Sequence, residues 1–164
     1  MTKQKIIFLA VILVLIAFGI GYSINHLNSN NKSSNTSATS SGASLDLSGH
    51  QLTTLPDYVL ARTDLTSLNL SNNQLTGLPA GISKLTNLTV LNVENNRLVS
   101  LPPEIGQLKN LKTADFSNNR LTSLPAELGN LTQLNLLKLS GYKGPTADID
   151  QLKARLPNTQ ITTQ

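Results

Sequence analysis

The chain has 164 residues, enough for one ordinary domain and its tails, and carries a formal net charge of +4. Three lysines precede Ser44, and from there onward ten Lys and Arg residues stand against nine Asp and Glu. No cationic cluster is therefore left to follow a nucleic-acid backbone, and we predict no nucleic-acid partner. Cysteine is absent, which excludes a disulfide framework and a thiolate zinc site.

The first long apolar run covers residues 6–24, nineteen positions without a charged side chain. As a helix it would be about 28 Å long, close to the ~30 Å hydrocarbon core of a bilayer. Residues 1–5 contain Lys3 and Lys5, which should stay in the cytoplasm under the positive-inside rule. We therefore predict a single-pass anchor in the cell membrane, with a cytoplasmic N-terminus and the rest of the chain outside.

A cleaved signal peptide is the alternative for this segment, because residues 1–5 also resemble a signal-peptide n-region. Gly19, Gly21 and Ser23 are small residues that could flank a cleavage site. No A-x-A triplet follows the run, and its length favours an anchor. In the alternative, the mature chain would be secreted.

Residues 25–42 are rich in Ser, Asn and Thr and contain almost nothing apolar to bury. This composition predicts a disordered linker. A flexible linker of this length has an r.m.s. reach of roughly 23 Å, so it would hold the following domain away from the bilayer.

Residues 43–164 form the predicted folded domain, in which a pattern recurs every 23 residues. The period is marked by one leucine per unit: Leu65, Leu88, Leu111 and Leu134. The unit at residues 65–85 reads Leu-x-x-Leu-x-Leu-x-x-Asn-x-Leu-x-x-Leu-Pro-x-x-Ile-x-x-Leu. It resembles the leucine-rich repeat, and its period and Leu-Pro segment are similar to the Ras-scaffold and plant intracellular Ras-group type.

This resemblance implies an α/β solenoid with a parallel β-sheet on its concave side and short helical turns on its convex side. The x-Leu-x-Leu-x segments alternate apolar and polar residues, which is the period of a half-buried strand. Asn73, Asn96 and Asn119 follow these segments, where a buried amide can bond to loop backbone groups. We predict that the three asparagines form a structural ladder.

The two ends of the repeat array differ. Ile149, Leu152 and Leu156 lie at helical spacing, and residues 160–162 can add a strand, so we predict a C-terminal cap. No cap precedes the first unit, where His50 replaces the ladder asparagine. Polar residues and the linker shield this end in one interpretation. In the other, its edge strand mediates weak self-association.

Catalytic motifs are missing from the sequence. The only histidines are His26 and His50, and neither a Gly-rich phosphate loop nor an HExxH motif occurs. We therefore predict no enzymatic activity, no cofactor and no metal. Residues 156–160 resemble a sortase pentapeptide, but Gln160 stands where Gly is usual, so we interpret them as a helix end and a strand.

The resemblance implies a recognition module that binds a protein or glycan partner outside the membrane. We predict a binding surface on the concave face and its rim, formed by Asn69, Asn92, Glu94, Arg97, Asp115, Arg120, Lys138 and Lys143. Of these residues, Arg97, Arg120 and Lys143 recur at one repeat position. They would form a cationic stripe suited to an acidic or glycan partner. A solvated charged rim is the alternative.

A second function remains open at this point. The anchored repeats could be a structural subunit of an envelope assembly, associating through the uncapped first repeat.

Overall fold

A computed structural model describes residues 42–164 of the chain. The anchor predicted at residues 6–24 lies outside the described residues, as does the linker predicted at residues 25–42 except for its last residue. Within residues 42–164, no helix is long and apolar enough to cross a membrane.

Six short strands form one parallel sheet in chain order. They are β1 (Ala43–Asp46), β2 (Leu65–Asn69), β3 (Val90–Asn92), β4 (Thr113–Asp115), β5 (Leu136–Lys138) and β6 (Gln160–Thr162). From β2 to β5 each residue pairs with the residue 23 positions further on, for example Leu68 with Leu91. The repeat period is therefore the register of the sheet, and the predicted solenoid is confirmed.

Each repeat returns to the sheet through a short helical turn on its other side. These elements are α1 (Asp57–Leu60), three 3₁₀ turns (Ala80–Lys84, Pro103–Gln107 and Ala126–Asn130) and the longer helix α2 (Thr146–Arg155). A proline with φ between −61° and −71° directly precedes every one of them. Its fixed φ suits the entry to a helical turn, and its missing N–H costs nothing there.

The core lies between the sheet and these turns. Leu68 and Leu91 on the sheet side are fully buried, as are Ile82 and Ile105 on the turn side. Burying one such side chain contributes about 1.5–3 kcal/mol. A single repeat cannot cover its own apolar side chains, so the stability arises from stacking one repeat on the next.

The ladder asparagines lie buried where the chain leaves each strand. Oδ1 of Asn96 accepts a hydrogen bond from the N–H of Leu75 at 2.9 Å. Its Nδ2 donates to the carbonyls of Leu70 and Val93 at 2.9 and 3.0 Å. The ladder asparagines of the neighbouring repeats bond in the same way. Because two of these partners belong to the preceding repeat, each amide joins two repeats.

The residue before each ladder position adopts a left-handed backbone conformation, which the sequence analysis missed. The φ angles are 58° for Asn72, 54° for Asn95 and 55° for Asn118, and the equivalent Gly49 and Gly141 have 69° and 81°. Asn and Gly are the residues that reach this region at least cost. The Asn-Asn doublet thus meets two separate requirements, a backbone turn and a buried amide.

Helix α2 closes the C-terminal end of the core. Its apolar face buries Ile149 and Leu152, and Leu156 follows directly behind it. Arg155 donates to the carbonyl of Ala126 at 2.6 Å and to Oδ1 of Asn130 at 2.7 Å. Both acceptors belong to the last 3₁₀ turn, so the cap is tied to the final repeat.

The sortase-like pentapeptide at residues 156–160 is part of this cap. Leu156 is buried, and the hydroxyl of Thr159 donates to the carbonyl of Leu134 at 2.6 Å. The N–H of Gln160 donates to the carbonyl of Asn135 at 2.8 Å as β6 begins. The segment is therefore a helix end and a strand, as the sequence predicted.

The first repeat is held by different groups. Nδ1 of His50 lies 2.7 Å from the carbonyl oxygen of Ser48. This contact is equivalent to the bond from Nδ2 of Asn73 to the carbonyl of Ser71 in the next repeat. Arg62 is exposed and binds both carboxylate oxygens of Asp64 at 2.9 Å. Within residues 42–164, strand β1 pairs with β2 alone and is an edge strand of the sheet. Self-association through this edge stays a prediction.

Tyr142 occupies the ladder position of the capping unit. Its hydroxyl donates to the carboxylate of Asp148, which also accepts the N–H of Leu124 at 3.1 Å. Burial, together with the bond to Asp148, raises the pKa of the Tyr142 phenol above its usual value near 10. The folded cap therefore favours the neutral phenol.

We expect Tyr142→Phe to lower the free energy of unfolding by about 1 kcal/mol at neutral pH, because one hydrogen bond of the cap is lost. Since the folded-state pKa is raised, the neutral phenol stabilises the cap fully below about pH 10, and this contribution falls as the pH rises further. Unfolding by denaturant, followed by circular dichroism, should show a steeper alkaline loss for the wild type than for the variant. Parallel pH curves would show that the phenol does not stabilise the cap in this way.

Candidate binding surface

The outward side of the sheet presents two rows of side chains with one residue per repeat. The first row contains Ser67, Val90, Thr113 and Leu136, and the second contains Asn69, Asn92, Asp115 and Lys138. Strands spaced about 4.8 Å apart give a six-stranded face roughly 24 Å wide. A face this narrow can contact only part of a macromolecule.

The second row is less available to a partner than we predicted. Oδ1 of Asn69, Asn92 and Asp115 accepts the backbone N–H two residues further on, at 3.1, 2.9 and 3.0 Å. Such side-chain bonds stabilise the turn at a strand end. Asn69 and Asn92 are half-buried as a result, and their first role is structural.

The expectation that Asp115 lies open on the binding face is wrong, because this residue is only 6% exposed. Nζ of Lys138, from the next strand, lies 3.1 Å from its Oδ2. The ammonium group covers the carboxylate and compensates its charge, so the pair links two repeats. Lys138 itself keeps nearly half of its side chain exposed.

Glu94 lies half-buried one turn beyond the sheet. Its Oε1 accepts a hydrogen bond from Nδ2 of Asn118 at 3.3 Å. The neighbouring Asn95 donates to Oδ1 of Asn72 at 3.0 Å, so these polar side chains also bond from repeat to repeat. Most polar groups near the concave face thus have partners within the domain.

Arg97, Arg120 and Lys143 form a row along the flank of the sheet, which we call the cationic row. Arg97 N–H donates to the carbonyl of Leu75, and Arg120 N–H to that of Leu98, both at 2.9 Å. Lys143 makes the equivalent bond to the preceding repeat at 3.1 Å. The three backbones therefore lie side by side like adjacent strands, about 4.8 Å apart.

The side chains of the cationic row are exposed, and none makes a hydrogen bond or ion pair with another residue in the described part of the chain. The next exposed residues along the chain on both sides are neutral: Asn95 and Val99 around Arg97, and Asn118 and Thr122 around Arg120. No carboxylate adjoins the row in sequence. The cationic row is therefore an exposed stripe of three charges, and its role in binding stays a prediction.

One residue of this flank was missed by sequence reasoning. Val99 is 51% exposed and is one of two exposed large apolar side chains among residues 42–164, the other being Val90 at 37%. Thr76 and Thr122 occupy its position in the adjacent repeats. An apolar residue at an outward position that is otherwise threonine was a signal that the sequence offered.

The described residues offer little for other chemistry. Within residues 42–164, no group of three His, Cys, Asp or Glu side chains could hold a metal ion. A cleft between the last 3₁₀ turn and α2, lined by Leu124, Asp148 and Arg155, holds about 40 Å³, which is room for a few water molecules. The exposed flank and the sheet are therefore the surfaces to consider.

The geometry defines a solenoid of stacked strand-and-turn units with an open parallel sheet. Comparison with known families identifies it: the model for two copies of "Leucine Rich repeats" matches residues 63–105, and "Leucine rich repeat" matches residues 86–142. Residues 63–142 of the chain are thus leucine-rich repeats. Repeats of this kind indicate a domain that binds other proteins.

Solved structures share this fold. A leucine-rich-repeat protein of Leptospira interrogans is 37% identical with a TM-score of 0.54, and the match covers 71% of this chain. TLR13, in a complex with ssRNA13, is 25% identical with a TM-score of 0.64 over 73% of this chain. The chain spans 35% of the first protein and 18% of the second. No curated protein matches the sequence.

We expect Asn96→Ala to destabilise the domain by about 1–3 kcal/mol, because buried backbone groups of two repeats lose their partner. Asn92→Ala removes one half-exposed bond, to the N–H of Glu94, and should cost roughly 0.5–1 kcal/mol. Denaturant unfolding of the two variants measures the difference. Equal midpoints would show that the buried amide is not what joins the repeats.

Proposed function

We propose that the chain is a recognition module held at the outer face of a membrane, where it binds a protein partner through the flank and the outward side of its sheet. The leucine-rich repeats support the binding role. The uncharged run at residues 6–24, preceded by Lys3 and Lys5, supports the membrane location. The repeats belong, in this proposal, to the Ras-scaffold and plant intracellular Ras-group type.

The observation that carries the proposal is the cationic row, whose side chains are exposed and have no partner among residues 42–164. Most polar groups of the adjoining concave face bond within the domain instead. Arginine is enriched at protein interfaces and among the residues that dominate binding energy. A glycan with acidic groups is the alternative ligand for the same row.

The size of the sheet supports a role for the flank. The concave face alone would bury about 500–600 Å², below the ~800 Å² per partner of a standard interface. A partner that also covers the cationic row gains additional area and opposite charge. Clustering in the membrane plane would add avidity to a weak single contact.

We propose no nucleic-acid partner, although TLR13 is seen in a complex with ssRNA13. From Ser44 onward the net charge is only +1, and the cationic row holds three charges. A nucleic-acid backbone is bound by a longer cationic track. We also propose no catalytic role, since Nδ1 of His50 is taken up by a backbone carbonyl.

An assembly role is the second candidate, and it is favoured by β1 being an edge strand within the part of the chain that the structure describes. Leu45 and Leu52 remain half-buried in this first repeat, whereas the equivalent Leu68 and Leu75 are fully buried. A second chain that paired with β1 would cover them. This role predicts stable oligomers of the purified chain.

Proximity labelling from the C-terminus in intact cells tests the proposal. We expect Arg97→Glu/Lys143→Glu to lose the proteins that the wild type labels outside the membrane, because the row then repels an acidic surface. The control Lys84→Glu/Lys153→Glu makes the same charge change at exposed positions elsewhere and should keep them. Unfolding curves of both variants should match the wild type.

Three results would contradict this proposal. Identical labelling by both variants would remove the flank from recognition. Labelling of cytoplasmic proteins alone would reverse the proposed orientation. Loss of labelling with Leu45→Lys, but with neither charge variant, would favour assembly through the first repeat.

A further inference from the structure

We propose that the partner presents an acidic amphipathic helix, which docks on a patch formed by Arg97, Val99, Arg120 and Lys143. We call these four residues the flank patch. Two or three carboxylates, one helical turn apart, would lie on the cations, and an apolar side chain would cover Val99. This inference names the partner chemistry of the proposed function and rests on it.

The spacing of the row favours a helix over an extended peptide. Three cations in adjacent repeats span two strand spacings, about 9.6 Å. Residues i and i+7 of a helix are about 10.5 Å apart along its axis, with a residue at i+3 or i+4 between them on the same face. Three alternate residues of an extended chain span about 13 Å. The helix therefore places its carboxylates closer to the cations.

The charge distribution favours an acidic ligand at this place. The exposed residues next to Arg97 and Arg120 in sequence are neutral, and the carboxylate of Glu94 is bonded to Asn118. The guanidinium groups of Arg97 and Arg120 can each bind a carboxylate through two N–H donors. Because these ion pairs would be partly exposed, each should improve Kd by no more than about fivefold.

Val99 favours a protein ligand over a polyanion. Its side chain is 51% exposed two residues beyond Arg97, and its carbonyl accepts the N–H of Thr122, two residues beyond Arg120. A helix can cover it with a Leu or Met three or four residues away from an acidic position, whereas a phosphate or sulfate polymer has no apolar side chain to bury. The row also ends after three charges, at Gln74 on one side, which is short for a polymer track.

The backbone under the flank patch is already ordered. Arg97 N–H bonds to the Leu75 carbonyl at 2.9 Å, and Thr122 N–H bonds to the Val99 carbonyl at 3.3 Å. Residues 97–99 are therefore bonded to the repeat on each side. Binding would order side chains alone, which keeps the entropic cost low.

The test uses two synthetic helical peptides of about 20 residues with identical composition. In the aligned peptide, three glutamates follow i, i+3, i+7 spacing beside a leucine; in the dispersed peptide they are spread around the helix. Each is titrated into the full-length ¹⁵N-labelled chain in neutral detergent micelles, and NMR shifts report the site. We expect shifts centred on residues 97–99 and 120–122, with about tenfold tighter binding of the aligned peptide.

Variants of the full chain locate the contact. Arg97→Ser/Arg120→Ser should weaken the aligned peptide by about tenfold, and Val99→Thr by about two- to threefold at constant charge. Threonine is the residue of the adjacent repeats at this position, so the backbone is not disturbed. The matched control Lys84→Ser/Lys153→Ser should bind like the wild type.

Several outcomes would overturn the inference. Equal affinity for the two peptides would do so, as would no binding of either peptide. An affinity for the aligned peptide that Arg97→Ser/Arg120→Ser leaves unchanged would also do so. The fourth outcome is that polyphosphate binds more tightly than the aligned peptide and that Val99→Thr does not change its affinity. The last result would show a polyanion site. If Val90→Arg on the sheet abolishes partner labelling in cells while Arg97→Ser/Arg120→Ser does not, this inference fails and the flank has no part in recognition, while recognition through the sheet outside the membrane stands.

Discussion

The buried amide of the ladder asparagines is the interaction on which the rest of the structure depends. Asn96 accepts a hydrogen bond from one repeat and donates to carbonyls of that repeat and its own. These backbone groups lie in loops, where no strand partner reaches them, and leaving them unpaired would cost free energy. The amide thereby holds successive repeats in one register. Any residue that recurs every 23 positions becomes part of a row on the surface.

This register decides which surfaces are free for a partner. On the concave side, Asn92 and Asp115 support turns, and Lys138 covers a buried carboxylate. The same side chains cannot leave these bonds without a cost to the fold. On the flank, the side chains of the cationic row make no hydrogen bond or ion pair within residues 42–164. The candidate site therefore shifts from the centre of the sheet, where the sequence placed much of it, to its flank.

Features that depend on local spacing could be predicted from the sequence. The strands and the buried positions of Asn73 and Asn119 follow from the 23-residue period, and the capping helix follows from the helical spacing of Ile149, Leu152 and Leu156. The burial of Asp115 could not be predicted, since it depends on one lysine in the next repeat. The left-handed turns were readable from the Asn or Gly that stands before each ladder position, but they were missed because each Asn-Asn doublet was assigned a single role. The anchor at residues 6–24 stays a prediction.

Cysteine accessibility tests the central claim, that the flank binds a partner outside the membrane. The chain has no cysteine, so a single introduced thiol reports one position. Val99→Cys on the flank and Lys84→Cys on a 3₁₀ turn would react with a membrane-impermeant maleimide in intact cells and as purified chains. We predict equal rates at position 84 in both settings and markedly slower reaction at position 99 in cells. If the ratio of the rates at positions 99 and 84 is the same in cells as in the purified chains, the account is contradicted. No reaction at either position in intact cells would also contradict it.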